Sequence, residues 1–265
     1  MNKEERLDRK INRLFRQSGH PRHLNNKGSK KFASWILCLG WVVKQVYHLS
    51  YRRAMRFLDE HFGIALHWTT LQKFAGRMPK SLWQILFAAT VGTGNIPLAA
   101  GDGTGFSRSG PSSYFLKRID RDGPIGRPVQ AICLVDVKNR KFASCTINAK
   151  PYHEARFIPR LHKQAPDMDV LLLDKAFDKE ALHSWLEENG TFSLAPVRKG
   201  CRRGRHRKFI RDNMDWCLYW QRNIVESLFS ALKRLFGGDL KCKHIRTQTA
   251  EIFCRLIAYN IGYAD

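Results

Sequence analysis

The stretch "DVLLLDKAF", Asp169–Phe177, decides the fold. Val170–Leu173 form an apolar run of strand length with no polar alternation, which reads as a strand buried on both faces. Asp174 closes that run. A carboxylate there costs desolvation unless it is paired or holds a cation. The carboxyl ends of strands are also where open α/β sheets keep their ligand sites.

The neighbouring segments extend this reading. Upstream, "LAAGDGTGF" (Leu98–Phe106), "PVQAICLVDV" (Pro128–Val137) and "KFASCTINAK" (Lys141–Lys150) read as strands, the last two joined into a hairpin by "KNRK". "YHEARFIPRLHKQA" (Tyr152–Ala165) is a helix that is interrupted or begun again at Pro159. Downstream, "KEALHSWLEENG" is an amphipathic helix capped by Asp178 and stopped by Gly190, and "TFSLAPV" is a short strand. A basic loop (Arg198–Arg211) and two further helices, Tyr219–Phe236 and "AEIFCRLIAYNIGY", complete the chain. Three strands followed by alternating helices and strands predict an α/β domain over 95–265, a mixed sheet with helices packed on it.

"VGTGNIP" is the linker before this domain. From 32 to 91 the pattern is helical: "FASWILCLGWVVKQVYHL" is a buried helix, and Ser50 caps "YRRAMRFLDEHF", which ends at Gly63. "TTLQKFAGRM" opens with the capping-box spacing of Thr69 and Gln72. The last two resemble a helix-turn-helix, with Lys73 and Arg77 able to face phosphates. "GIALHW" is long for that turn, so a helical DNA-binding domain and a dimerisation domain both stay open. Residues 1–31 read as a basic flexible arm, with a short helix at "KEERLDRKINRLFRQ".

Charge bounds the partner. Lys and Arg number 46 against 23 Asp and Glu in 265 residues, a formal net charge of +23, which attracts polyanions strongly. DNA or RNA comes first and an anionic membrane surface second. The start "MNKEERLDRK" lacks a signal-peptide core, and the longest apolar run, "ASWILCLGWVV", is 11 residues, too short to span a bilayer. The seven cysteines are scattered with no Cys-x-x-Cys pair, which indicates buried thiols in a reducing, cytoplasmic setting rather than a zinc or disulfide framework.

Three acids on separate elements draw attention: Asp174, Asp102 between glycines in "GDGTGF", and Glu226 in "YWQRNIVESLFSALKRLF". At about 100° per residue, Arg222 lies about 40° from Glu226 around the helix, and Tyr219 and Lys233 about 20° from it. All four project from one stripe beside an apolar arc that includes Val225, Leu228 and Phe229. Arg222 and Glu226 read equally as a surface i,i+4 pair, and Asp102 as a turn aspartate. If the three carboxylates converge, they repel one another, and a divalent cation resolves the conflict. Carboxylate-only coordination suits Mg²⁺ or Mn²⁺, and two such ions about 4 Å apart activate a nucleophile and stabilise the leaving oxygen of a phosphodiester.

The spacing Tyr219-x2-Arg222-x3-Glu226-x6-Lys233 resembles the Tyr-Arg-Glu-Lys signature of bacterial and archaeal insertion-sequence transposases of the DDE class. "GDGTGF" resembles that family's first-aspartate block and "LLDKAFD" its second, with 72 residues from Asp102 to Asp174 and 52 from Asp174 to Glu226. The resemblance implies a ribonuclease H-like fold. It also implies a catalytic and metal-binding triad of Asp102, Asp174 and Glu226 holding two Mg²⁺ or Mn²⁺ ions. The implied enzyme is a DNA transposase that cuts element ends by hydrolysis and joins the freed 3′-hydroxyl to target DNA, with no covalent protein–DNA intermediate. Arg222 and Lys233 would grip phosphates, and Tyr219 would bond a phosphate or stack on a displaced base. Double-stranded DNA, a homodimer on two ends and a location on the nucleoid follow from the same resemblance. The competing readings are a metal-dependent nuclease of this fold and a non-catalytic, transposase-derived DNA-binding protein.

Eight Lys or Arg lie between Arg198 and Arg211. The cluster Arg202, Arg203, Arg205, Arg207 and Lys208 reads as a DNA-backbone contact that orders on binding, or else as a solvated loop. His206 reads as a further polar group, His153-Glu154 as a helix start favoured by the dipole, and Trp216 and Trp220 as core or base-stacking residues. Asp120, Asp122 and Asp136 are reserves for Asp102.

Overall fold

The structure, a computed structural model, describes residues 3–23, 31–108, 128–150, 152–201 and 203–262. Arg202, Asp120 and Asp122 lie outside the described residues. In chain order the helices and strands are α1 (Lys3–Gln17), α2 (Ser34–Val46), α3 (Tyr51–Phe62), α4 (Trp68–Arg77), α5 (Lys80–Ala88), β1 (Ile96–Arg108), β2 (Val129–Asp136), β3 (Lys141–Asn148), α6 (Ile158–His162), β4 (Met168–Leu173), α7 (Glu180–Glu188), β5 (Phe192–Leu194), α8 (Arg205–Asp212), α9 (Trp216–Trp220), α10 (Asn223–Phe236) and α11 (Ile245–Asn260). The chain divides into two compact units.

One unit takes in the described residues up to Thr90 and those from Leu232 onward. Its centre is made by α2 and α11, which pack on each other. Both are buried around most of their circumference, as central helices must be. Trp41 on α2 is fully buried, and its Nε1 donates to the Leu71 carbonyl at 2.8 Å. Glu251 and Arg255 on α11 are 0% and 1% exposed and pair at 2.7 Å. Their remaining capacity holds the preceding segment. Arg255 donates to the carbonyls of Gly237 (2.7 Å) and Asp239 (2.8 Å), and Glu251 accepts from the backbone N–H groups of Lys241 and Cys242.

The short helix expected at Lys3–Gln17 is α1, which buries Leu7, Ile11, Leu14 and Phe15 at helical spacing and packs against α2. One expectation is revised in this unit. The Thr69–Gln72 capping box is absent. α4 starts one residue earlier, and His67 caps it by accepting from the Thr69 N–H through Nδ1 at 3.4 Å. Ser50 does cap α3, accepting from the Arg53 N–H at 3.3 Å, and Gly63 ends that helix in the left-handed conformation at φ 62°. The division also assigns α11 to this unit, although it follows the predicted α/β segments in sequence.

The other unit runs from Val91 to Ser107 and from the described residues after the gap to Ala231. The sheet's five main strands lie in the order β3-β2-β1-β4-β5. β1–β2 and β2–β3 are antiparallel, and β1–β4 and β4–β5 parallel. Side chains alternate across a strand, so Ala99, Leu171 and Leu173 join the core on one face with Ile158 of α6 and Leu182 and Leu186 of α7. The opposite face carries Phe142, whose ring centroid is 5.7 Å from that of Phe229 on α10.

Candidate active site

Strand register brings the two aspartates together. Gly101 pairs with Leu173 in the parallel β1–β4 ladder. The next residues, Asp102 and Asp174, are therefore neighbours on adjacent strands, and alternation puts both on the face opposite Leu173. β4 ends at Leu173, so Asp174 stands at a strand's carboxyl end, as its sequence predicts. Asp102 does not end its strand: β1 continues to Arg108, and Asp102 pairs across with Cys133 of β2. The flanking glycines have steric reasons. A Cβ at Gly101 would fall 2.8 Å from Leu173 and 2.9 Å from Leu134, and one at Gly103 would meet the Glu154 carboxylate.

Each aspartate accepts from the following backbone N–H at 2.7 Å, Asp102 from Gly103 and Asp174 from Lys175. Glu226 lies in the first turn of α10, whose Val225, Leu228 and Phe229 are buried. Arg222 joins Glu226 to Asp102. Its Nη1 donates to Asp102 Oδ2 at 3.2 Å and its Nη2 to Glu226 Oε1 at 2.7 Å. The Arg222 side chain is only 13% exposed, against 23% for Asp102 and 58% for Glu226. The surface-pair reading of Arg222 and Glu226 is thus incomplete, because the same guanidinium reaches a strand residue 120 positions away.

The predicted single helix from Tyr219 to Phe236 is two helices. α9 ends at Trp220 and α10 begins at Asn223. Between them Arg222 N–H bonds the Tyr219 carbonyl at 2.9 Å and Val225 N–H the Arg222 carbonyl at 2.9 Å. These i to i−3 bonds tighten the turn. Tyr219 nevertheless stays beside Arg222. Burial raises its pKa, the Arg222 charge and hydrogen bond oppose the rise, and the Asp174 and Asp102 charges add to it.

Electrostatics tie the acids into one group. Burial pushes the Asp102 pKa up, the Gly103 N–H and Arg222 pull against it, and the charges of Asp174 and Glu226 push it further. Sequence reasoning missed a fourth acid. Glu154 follows its N-cap His153 in a 3₁₀ turn, as a helix-start residue should. Yet it lies against Gly103, and its pKa is raised first by burial and then by Asp102 and Asp174. The only signal in the sequence was an acid shortly after the third strand.

Among the described residues, no group of three His, Cys, Asp or Glu side chains stands close enough to hold one metal ion. The donor chemistry, hard carboxylate oxygens that repel one another, suits Mg²⁺ or Mn²⁺. The present spacing does not, with Arg222 bound to oxygens of two of the acids.

The other predicted contacts are spread out. Lys233, further along α10, is half-buried and belongs to the first unit, as do Lys73 and Arg77, both exposed on α4. The basic loop is partly helical. Arg205, Arg207 and Lys208 lie on α8, and Arg203 just before it is exposed. Arg207 is paired within the protein: Nε donates to Asp178 Oδ1 and Nη2 to the Asp178 carbonyl, both at 2.7 Å, leaving its side chain 22% exposed. Asp178 is correspondingly no helix cap. Its buried carboxylate holds Arg207 and the Arg198 N–H, and Lys179 occupies the N-cap of α7. His206 is clamped between Glu180 (2.9 Å) and Glu187 (2.7 Å). Trp216 and Trp220 are exposed rather than core, Trp220 at 63%. Asp136 binds Asn139 in the hairpin turn, a structural role.

A family described as "Transposase DDE domain" matches residues 102–261, more than half of the chain. No curated protein matches. Among solved structures, the chain is similar to a piggyBac transposase synaptic complex with hairpin DNA at 10% identity and a TM-score of 0.39. The similarity covers 72% of this chain and 48% of the other, so the chain spans about half the length of that protein.

Proposed function

Because the chain belongs to the transposase DDE domain family, we propose that it is a DNA transposase that cuts the ends of an insertion sequence and joins them to target DNA. What carries this reading is the meeting of Asp102 on β1 with Asp174 just past the end of the neighbouring β4, with Glu226 tied to Asp102 through Arg222. The strand order β3-β2-β1-β4-β5, with a leading antiparallel meander and two parallel additions, supports a ribonuclease H-like description of the catalytic unit.

In this reading Asp102, Asp174 and Glu226 would hold two Mg²⁺ or Mn²⁺ ions, which would supply polarisation of the phosphodiester and a lowered pKa for the attacking water or hydroxyl. The residues of the chain do the rest. The Gly103 and Lys175 N–H groups fix the two aspartates through one oxygen each, and the second oxygen of Asp102 is held by Arg222. Arg222 has the planar fork that grips a phosphate near the scissile bond, with Tyr219 beside it as a second hydrogen-bonding group. Water cleaves the P–O3′ bond at the element end, and the freed 3′-hydroxyl then attacks a target phosphodiester with release of its 3′ oxygen. Lys233, Arg203, Arg205 and Lys208 bind backbone phosphates, and the helical segment with Lys73 and Arg77 binds DNA or a second protomer. Two protomers pair two ends on double-stranded DNA, in the cytoplasm of a bacterium or archaeon.

The test is cleavage of duplex DNA carrying the sequence that flanks the gene, with Mg²⁺ or Mn²⁺. Asp102→Asn, Asp174→Asn and Glu226→Gln are each expected to abolish cutting while keeping DNA binding. Cutting that persists in any of the three overturns the proposal.

A further inference from the structure

If Asp102, Asp174 and Glu226 hold divalent metal, as the proposed transposase function requires, Arg222 stands where the metal must go. The guanidinium bonds one oxygen of Asp102 and one of Glu226, at 3.2 Å and 2.7 Å, and it is largely shielded from water. A cation between these carboxylates relieves the same repulsion that a divalent ion would relieve. It also uses the oxygens the ion would need, and no three acids among the described residues stand within reach of one ion. The same fork is suited to a phosphate. Arg222 has two alternative anionic partners, the protein's own acids or DNA, and it cannot satisfy both sets fully at once.

We infer that Arg222 is a placeholder for the metal: in the DNA-free protein it neutralises Asp102 and Glu226 and keeps divalent ions out, and a DNA phosphate releases the acids by drawing the guanidinium away. Metal affinity and DNA binding are then coupled through one side chain, and the coupling is reciprocal. The arrangement withholds hydrolytic chemistry until an end is seated. Arg222 acts here as a positioning residue, through the acids it holds.

The experiment measures Mn²⁺ binding by electron paramagnetic resonance, which reads free ion independently of turnover. The wild type, Arg222→Gln, Arg222→Lys and Lys175→Gln are compared without DNA. Lys175 is exposed beside Asp174 and serves as a control for loss of charge alone. Arg222→Gln is expected to bind Mn²⁺ about tenfold more tightly than the wild type, within the usual range of coupling between sites. Arg222→Lys keeps the charge and loses the fork, and it is expected to tighten binding as well. Lys175→Gln is expected to change it little. Adding the duplex raises wild-type Mn²⁺ affinity more than that of Arg222→Gln. In the double variant Asp102→Asn with Arg222→Gln, the gain disappears.

Equal Mn²⁺ affinity in the wild type and Arg222→Gln overturns the inference, as does an absence of Mn²⁺ binding in every protein. So does a pattern in which Lys175→Gln tightens binding as much as Arg222→Gln while Arg222→Lys does not, because that is charge without geometry. Absence of DNA cleavage by the wild type, with the Mn²⁺ pattern intact, would count against the transposase reading and leave this inference standing.

Discussion

At the scale of single residues, buried charge is where the molecule commits most. Glu251 and Arg255 are fully enclosed, pair with each other and tie down the backbone from Gly237 to Cys242. Removing one partner leaves the other charge buried without compensation, so Arg255→Met is expected to destabilise by about 3–5 kcal/mol, measured by urea unfolding. A cost under about 1 kcal/mol would mean the pair relaxes into water. Part of the candidate cluster was legible in the sequence. Asp174 stood out because an acid ending an apolar strand has few structural explanations, and Arg222, Glu226 and Tyr219 because their spacing resembles a family signature; the structure brings them together. Glu154 was not legible, because a first-turn glutamate is an ordinary helix-start residue and its neighbour Gly103 is 51 positions away. The pairing of Arg207 with Asp178 was not legible either: in a run of cations, nothing in the sequence marks the one that a buried aspartate claims.

At the scale of elements, α8 is fastened by charge. His206 bonds Glu187 and Glu180, which raises its pKa above the ordinary 6.5. The hydrogen bond from His206 lowers Glu187. Burial works to raise Glu180, but its bonds from His206 and Arg207 outweigh this and lower it. The imidazolium's contribution is complete below pH 6.5 and is lost as pH rises through the raised folded value. The two glutamates contribute above their ordinary 4.5 and lose that contribution as pH falls through their lowered folded values. Wild-type stability is therefore expected to fall as pH rises from 6.5, with Arg205 also facing Glu187 across 4.0 Å. His206→Gln should flatten that slope in pH-dependent thermal unfolding, and an unchanged slope would contradict the assignment. Strands, hairpin and the caps at Ser50 and Gly63 were readable, since each depends on a few adjacent residues. The break between α9 and α10 was not, because the segment has neither proline nor glycine at Gln221 and Arg222. The turn is set by three-dimensional contacts that a periodicity argument cannot contain.

At the scale of the whole molecule, sequence order and spatial grouping part company. α11 comes last, yet it is the buried centre of the unit that begins the chain. A linear reading assigns it to the segment it follows, and only its burial around most of its surface hints at another home. The net charge of +23 was legible at once, and its distribution was less so. Arg203, Arg205 and Lys208 are exposed, whereas Arg207 is not available in the same way. Neutralising Arg203, Arg205 and Lys208 to Gln together is expected to weaken DNA binding. The slope of log affinity against log salt should become shallower by about 0.9 for each phosphate that is no longer neutralised. Arg207→Gln should act mainly on stability, and an equal effect on the salt slope would contradict its pairing with Asp178. The proposed chemistry depends most on three distant acids acting as one metal site. Iron-directed cleavage of the polypeptide tests this directly, with Fe²⁺ and peroxide added to the protein bound to its DNA end. Cuts close to Asp102, Asp174 and Glu226 together, suppressed by excess Mg²⁺, are the expected result. Cuts at one acid without the other two, or at none of them, would contradict it.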